Sequence, residues 1–68
     1  MSELTVAFGL RVREQRKLKK ITQEQLALLC NIDRSYMGRI ERGEVNLTLE
    51  KLYELAKALD IPVSNLLP

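Results

Sequence analysis

The sequence contains no histidine and no tryptophan, and it has only one cysteine. Cys30 therefore cannot form an internal disulfide, and a reducing cytoplasm is the expected setting. No set of residues has metal-ligand spacing, no glycine-rich loop indicates nucleotide binding, and no carboxylate pair has an evident cleft. These absences argue against an enzyme. We expect no catalytic residue, no metal, no cofactor and no small-molecule ligand.

Long hydrophobic runs are also lacking. The longest uninterrupted apolar run is Leu26 to Cys30, whereas a membrane-spanning helix needs about 20 residues. The N-terminal segment has charged residues near its start and has no apolar stretch followed by a cleavage site, so no signal peptide is expected. The sequence thus predicts a cytoplasmic protein without a membrane partner.

The composition indicates one helical domain. The 68 residues are 46% hydrophobic but only 4% aromatic, and β-branched runs are absent. A chain of this length buries only about 60% of its unfolded surface, so its core is thin. We expect a single all-α domain over residues 1–68, built on Leu, Ile, Val and Ala.

Capping residues and apolar periodicity predict five helices and leave no room for a sheet. Thr22 with Gln25 has the pattern of a capping box, and Asp33 and Thr48 are expected to cap the next two helices. The helices are predicted at about residues 3–19, 23–30, 34–42, 49–59 and 62–67, the last one started by Pro62.

Three residues predict where the first three helices end. Lys20 and Asn31 stand where the backbone has to turn left-handed, and Gly43 stops the third helix. The residues predicted to face the core are Leu4, Phe8, Val12, Leu26, Ala27, Cys30, Met37, Ile40, Leu49, Leu52, Leu55, Ala56, Leu59 and Leu66. Those predicted to be partly buried are Val6, Leu10 and Leu18.

Residues 22–43 contain the most informative pattern. Two short capped helices are separated by a tight break, with the small Ala27 where they would cross, and the second helix carries Arg34, Ser35, Tyr36 and Arg39 on polar surface. Two helices joined in this way predict a helix-turn-helix whose second helix reads DNA.

The distribution of charge favours the same interpretation. The formal net charge is only +2, but residues 11–42 hold nine basic against four acidic residues, and the rest of the chain is acidic. A basic segment next to acidic ones indicates that one face of the protein binds a polyanion. The alternative is that charged helical surfaces are ordinary and that the difference arose by chance.

Several strings resemble the Cro/repressor or XRE family of DNA-binding domains over roughly residues 8–67. They read ITQEQLA from Ile21, IERG from Ile40 and LxxLxxLAxAL from Leu49. The segments IDRSY, IERG and NLTL most resemble the controller proteins of restriction–modification systems, although plain XRE regulators share much of this pattern. The resemblance implies a repressor-like domain that regulates transcription, as a homodimer on a near-palindromic operator in double-stranded DNA.

The resemblance also implies the roles of single residues. Arg34 and Ser35 match positions that reach base edges, and Tyr36 and Arg39 are predicted to read bases with them. The alternatives are the flanking backbone or a surface ion pair for Arg39, and phosphate contact or packing on the core edge or on a dimer partner for Tyr36. The residues that match phosphate-contacting positions are Gln23, Arg42, Asn46 and Thr48. Arg16 would pair with Glu41 and connect the first helix to the third.

The dimer surface and the class of regulator are left open by the sequence. Val63, Leu66 and Leu67 are candidates for the interface, because similar short proteins dimerise through their last helix. Leu28 and Leu29, on the outer flank of the second helix, favour an alternative function as an antitoxin or a protein-interaction module.

Overall fold

The computed structural model describes residues 2–68, which form four α-helices followed by a 3-10 turn. The elements are α1 (Glu3–Leu18), α2 (Gln23–Leu29), α3 (Arg34–Glu41), α4 (Leu49–Leu59) and the 3-10 turn Val63–Leu66. The all-α prediction is confirmed. The helices α1, α2 and α3 each end one residue earlier than predicted, because Lys19, Cys30 and Arg42 occupy the C-cap positions. Within residues 2–68, no helix combines the length and the apolar character needed to cross a membrane.

The fifth helix predicted at about residues 62–67 is only a short 3-10 turn, Val63–Leu66. The segment after Pro62 contains only four helical residues, and its amide hydrogen bonds run from Asn65 to Pro62 and from Leu67 to Ser64. Each of these bonds spans three residues, which defines a 3-10 turn. The segment is too short for the longer-range ladder of an α-helix.

The helix starts follow the predicted caps with one exception. Thr22 Oγ1 accepts from the Gln25 amide at 3.0 Å, and Gln25 Oε1 accepts from the Thr22 amide at 2.7 Å, which forms the predicted capping box. Thr48 Oγ1 accepts from the Lys51 amide at 3.1 Å. Asp33 has the extended backbone of an N-cap, but its side chain makes no cap hydrogen bond.

All four α-helices end in the same left-handed turn. The residues that adopt a positive φ are Lys20, Asn31, Gly43 and Asp60, and the first three were predicted to do so. After each of them, the next amide bonds back to the last turn of the helix, at distances between 2.9 and 3.3 Å. This is the Schellman arrangement. In three cases the residue after the turn is an isoleucine that packs against the core: Ile21, Ile32 and Ile61.

The core is formed by the inner faces of all five elements. The buried apolar residues are Val12, Leu26, Ala27, Cys30, Met37, Ile40, Leu55, Ala56, Leu59 and Leu66. All of them were predicted to face inward. Burial raises the pKa of the Cys30 thiol, which keeps this side chain neutral within the core.

Some residues that were predicted to be buried or partly buried are exposed in the structure. Leu4 and Leu49, both in the first turn of a helix, are 65% and 73% exposed. Val6, Leu10 and Leu18 are exposed rather than partly buried. Apolar residues on the outer faces of short helices have no second layer to cover them in a domain of this size.

The axis of α1 passes very close to the end of α3. A Cβ placed on Gly9 would lie 2.5 Å from the carbonyl oxygens of both Ile40 and Glu41. Thr5 Oγ1 donates to the Gly43 carbonyl at 3.0 Å in the same region. Only a glycine allows this approach, and it determines the position of α3 relative to α1.

We expect Gly9→Ala to lower the free energy of unfolding by about 1–3 kcal/mol, because the added methyl group meets backbone atoms that cannot move independently. The matched control is Gly38→Ala in α3, whose Cβ would meet only side-chain atoms, those of Arg42 at 3.1 Å and Gln23 at 3.7 Å. Alanine normally stabilises a helix relative to glycine, so the control should not be destabilised. Urea unfolding followed by circular dichroism measures both, and equal stability of Gly9→Ala and wild type would contradict the packing account.

Candidate nucleic-acid interface

The helices α2 and α3 form a rigid pair with one face buried and one face open. Leu26 and Ala27 of α2 pack against Met37 and Ile40 of α3, and none of these side chains is more than 2% exposed. The short turn between the helices is held by the Ile32 amide, which donates to the Ala27 carbonyl at 3.0 Å. The outer side of α3 therefore has a defined orientation on the surface.

The predicted base readers lie on this outer side, with one difference among them. Arg34, Ser35 and Arg39 are exposed, the first two in the first turn of α3. Tyr36 is half-buried and packs against the core, which was one of the alternatives for this residue. The contacts of these four residues with bases remain predictions.

Arg16 and Glu41 form the ion pair that the resemblance implies. Arg16 Nε donates to Glu41 Oε2 at 2.6 Å and Arg16 Nη2 donates to Glu41 Oε1 at 3.1 Å, with both side chains almost fully buried. Arg16 Nη1 also donates to the Ile21 carbonyl at 2.9 Å. The pair thus connects α1 and α3 with the turn that leads into α2.

The same carboxylate orients Gln23, the predicted phosphate contact at the start of α2. Gln23 Nε2 donates to Glu41 Oε1 at 3.0 Å. An amide nitrogen carries two hydrogens, so one remains for a ligand after this bond is made. The sequence did not reveal this bond, because Gln23 and Glu41 are separated by 18 positions and come together only when α2 packs on α3.

Gly38 creates a shallow site between Gln23 and Arg42. A Cβ at this position would lie 3.1 Å from Arg42 Nη1 and 3.7 Å from Gln23 Oε1, so both side chains approach the same point on α3. The absence of a side chain at Gly38 allows the Arg42 guanidinium to lie back along the helix. At this point the Arg42 guanidinium offers donors to an anion, whereas Gln23 presents its acceptor Oε1 and directs its Nε2 to Glu41.

Glu44 contacts both of the arginines at the end of α3. Its Oε2 accepts from Arg42 Nε at 2.7 Å, and its Oε1 lies 3.8 Å from Arg39 Nε. The hydrogen bond from Arg42 lowers the pKa of the Glu44 carboxyl group, and the same bond raises the pKa of Arg42. Both groups therefore stay charged at neutral pH. The sequence pattern did not indicate this pair, because the left-handed turn at Gly43 is what brings Glu44 back toward α3.

The two remaining phosphate candidates lie around the loop before α4. Asn46 is exposed in the loop, and Thr48 is exposed at the N-cap of α4. The Thr48 hydroxyl accepts the Lys51 amide and keeps its own hydrogen as a donor. Both residues remain predictions as DNA contacts.

The three candidates for a dimer surface differ in exposure. Leu66 is completely buried in its own core and has no surface to offer a second copy, whereas Leu67 is 47% exposed and Val63 is half-buried. Leu67 lines an open apolar groove of about 180 Å³. The apolar residues around this groove are Leu4, Phe8, Val45, Leu47, Leu49, Leu52, Leu67 and Pro68.

Comparisons with known proteins agree with this arrangement. A family model described as "Helix-turn-helix" matches residues 12–66. Control protein C.SmaI of Serratia marcescens is 46% identical over 56 residues, which cover 82% of this chain and 67% of that protein. Control protein C.BamHI of Bacillus amyloliquefaciens is 36% identical over 67 residues, which cover 97% and 83% of the two chains.

A solved structure is similar over nearly the whole length. The crystal structure of the restriction–modification controller protein C.AhdI from Aeromonas hydrophila superposes with a TM-score of 0.87 at 48% identity, and the match covers 91% of this chain and 94% of that one. These similarities confirm the predicted resemblance and the prediction of a regulator rather than an enzyme.

We expect Glu41→Ala to lower the free energy of unfolding by about 3–5 kcal/mol, because Arg16 would keep a buried charge without a partner. The control Glu14→Ala removes an exposed carboxylate of α1 and should change stability by less than about 0.5 kcal/mol. Replacing both partners, as Arg16→Met with Glu41→Leu, should recover most of the loss. Urea denaturation measures all three, and a stable Glu41→Ala protein would contradict this role of the pair.

Proposed function

The chain belongs to the helix-turn-helix family of DNA-binding transcriptional regulators, and we propose that it is a restriction–modification controller that binds a near-palindromic operator as a homodimer. The names of the similar proteins support the biological setting, since all three are control or controller proteins. The exposed face of α3, which would read bases, and the apolar groove, which would serve dimerisation, are formed by different residues.

One observation carries the proposal for DNA binding. The helix α3 has one completely buried face and an opposite face on which Arg34, Ser35 and Arg39 are exposed. An α-helix fits into the major groove, where each base pair has its own pattern of donors and acceptors. A helix held rigidly from behind, with arginine at its first turn, is the geometry that such recognition needs.

The flanking residues suit contacts to the DNA backbone. Gln23 at the start of α2 and Arg42 at the end of α3 bring donors to the edge of the helix pair. Asn46 and Thr48 continue this edge toward α4. Contacts of this kind set the orientation of a protein on the duplex and make binding sensitive to salt, but they do not distinguish sequences.

We expect Arg34→Ala to relax base preference at one position of each half-site, with a loss of about 1–3 kcal/mol of discrimination. Gln23→Ala should instead weaken binding by a similar factor on all sequences. Site selection from random DNA, followed by anisotropy titrations on the selected and scrambled duplexes, distinguishes the two effects. An unchanged selected-site profile for Arg34→Ala would show that the base-reading assignment is wrong.

The size of the domain supports the proposed dimerisation. The described residues extend over 26 × 24 × 21 Å, whereas successive major grooves on one side of DNA are about 34 Å apart. One copy therefore cannot present helices to two adjacent grooves. Two copies related by a two-fold axis would do so, and a two-fold interface uses the same patch on each copy.

The apolar groove around Leu67 is the surface that we assign to this contact. Leu4, Leu49 and Leu67 are exposed around it. A cluster of large apolar side chains exposed to water is typical of a surface that binds another protein. All three lie outside the basic segment of residues 11–42. A second copy that covers them leaves the exposed face of α3 free, and among the residues proposed to contact DNA it would adjoin Thr48, which also lines the groove.

We expect Leu49→Glu with Leu67→Glu to weaken self-association at least tenfold, because two buried carboxylates would have no partners in the interface. The control Leu28→Glu changes the most exposed leucine of α2, which is 81% exposed and lies outside the groove. Sedimentation equilibrium measures the dissociation constant of each variant. If Leu28→Glu dissociated the dimer and the groove variant did not, the interface would lie on α2.

A second candidate function is the binding of a protein partner through α2. It is favoured by the exposure of Leu28 and Leu29, two neighbouring leucines that the domain itself leaves uncovered. A gel-shift assay with operator and random fragments at low salt separates the candidates. The absence of any retarded band would favour the partner-binding function.

A further inference from the structure

Glu44 is the acidic residue closest to the arginines that we propose to contact DNA. We infer that its carboxylate is an internal competitor of the DNA backbone: it occupies the anion position at Arg42 that a phosphate group takes when DNA binds. This inference rests on the proposed function, and it assigns to Glu44 a role in setting the strength of DNA binding on every sequence.

The position of Glu44 is determined by the fold rather than by a flexible loop. Its amide donates to the Arg39 carbonyl at 2.9 Å, which holds its backbone against the last turn of α3. The preceding Gly43 has a φ of 76°, and a Cβ there would lie 2.5 Å from the Val6 Cα. The turn is therefore confined between α1 and α3, and it directs the Glu44 side chain toward the arginines.

Arg42 is suited to exchange one anion for another. Its guanidinium lies beside Gly38 and Gln23, and among the described residues its ion-pair partner is Glu44. Guanidinium groups bind carboxylates and phosphates through the same pairs of parallel hydrogen bonds. Because the Arg42 side chain is 59% exposed and that of Glu44 is 37% exposed, the pair is accessible to solvent and weak enough for a phosphate to displace it.

Two consequences follow for DNA binding. The Arg42–Glu44 pair has to separate before Arg42 can bind a phosphate, and the released carboxylate then remains near the negatively charged backbone. The number of counterions that leave the DNA depends on how many phosphates the protein neutralises. Because Glu44 already neutralises Arg42, this number is lower than a count of the arginines at the interface would predict. Both effects act on the backbone, so they reduce specific and non-specific affinity by the same factor.

The test compares wild type with Glu44→Gln in the full chain. The probes are a duplex carrying the site selected from random DNA and a scrambled duplex of equal length, titrated by fluorescence anisotropy at several salt concentrations. We expect Glu44→Gln to bind both duplexes about three- to tenfold more tightly at low salt, by analogy with exposed ion pairs. The slope of log K against log salt should steepen by about 0.9 for each protomer.

The matched control is Glu54→Gln. Glu54 also pairs with a basic side chain, Lys51 Nζ at 3.0 Å, and this variant makes the same change in net charge. Its affinity for both duplexes should stay within about twofold of wild type, since the pair lies within α4. In an Arg42→Gln background, Glu44→Gln should lose most of its effect, because the two residues act through one contact.

The outcomes distinguish this inference from the proposed function. Unchanged or weaker binding by Glu44→Gln would overturn the inference, the weaker case indicating that Glu44 positions Arg42 for DNA. An equal gain with Glu54→Gln would overturn it too, because net charge alone would then account for the effect. Failure of wild type to bind either duplex at low salt would overturn the proposed function itself.

Discussion

The buried pair of Arg16 and Glu41 is the interaction on which the rest of the structure depends. Its atoms connect α1 with α3, and further hydrogen bonds extend it to the Ile21 carbonyl and to the Gln23 amide of α2. A charge removed from water has to be matched completely, since an unmatched buried charge is strongly destabilising. The observed placement of the three helices provides this matching, with hydrogen bonds to both oxygens of Glu41. The pair therefore contributes to the orientation of α3 as well as to the stability of the core.

The surface of the domain is divided according to charge. The basic segment, residues 11–42, contains the exposed face of α3, while the apolar groove is lined by residues that precede or follow it. This division permits two contacts of different chemistry on a very small domain. Glu44 lies just after the basic segment, at the end of α3, where its carboxylate pairs with Arg42 and lies near Arg39. The density of positive charge on the proposed DNA face is thus lower than the count of arginines indicates.

Local signals were sufficient to predict most of the helix boundaries. Thr22 and Thr48 cap helices because a side-chain oxygen satisfies an amide that has no partner inside the helix. Lys20, Asn31 and Gly43 were predicted to turn left-handed for equally local reasons, and they do so. The errors arise where a local pattern has no information about neighbours. Leu4 and Leu49 have the spacing of core residues, but both line an open groove at the surface, and the segment after Pro62 forms a 3-10 turn.

The sequence by itself determined the order and type of the α-helices, the helix-turn-helix pattern and the residues on its polar face. These properties depend on interactions between residues close together in the chain. Only the tertiary structure decided that Leu4 and Leu49 stay exposed, that Gln23 bonds to Glu41, and that Glu44 approaches the arginines of α3. Each of these features depends on how helices pack or on the path of a left-handed turn. The partners of both contacts are brought together by three-dimensional geometry, which periodicity along one helix does not encode.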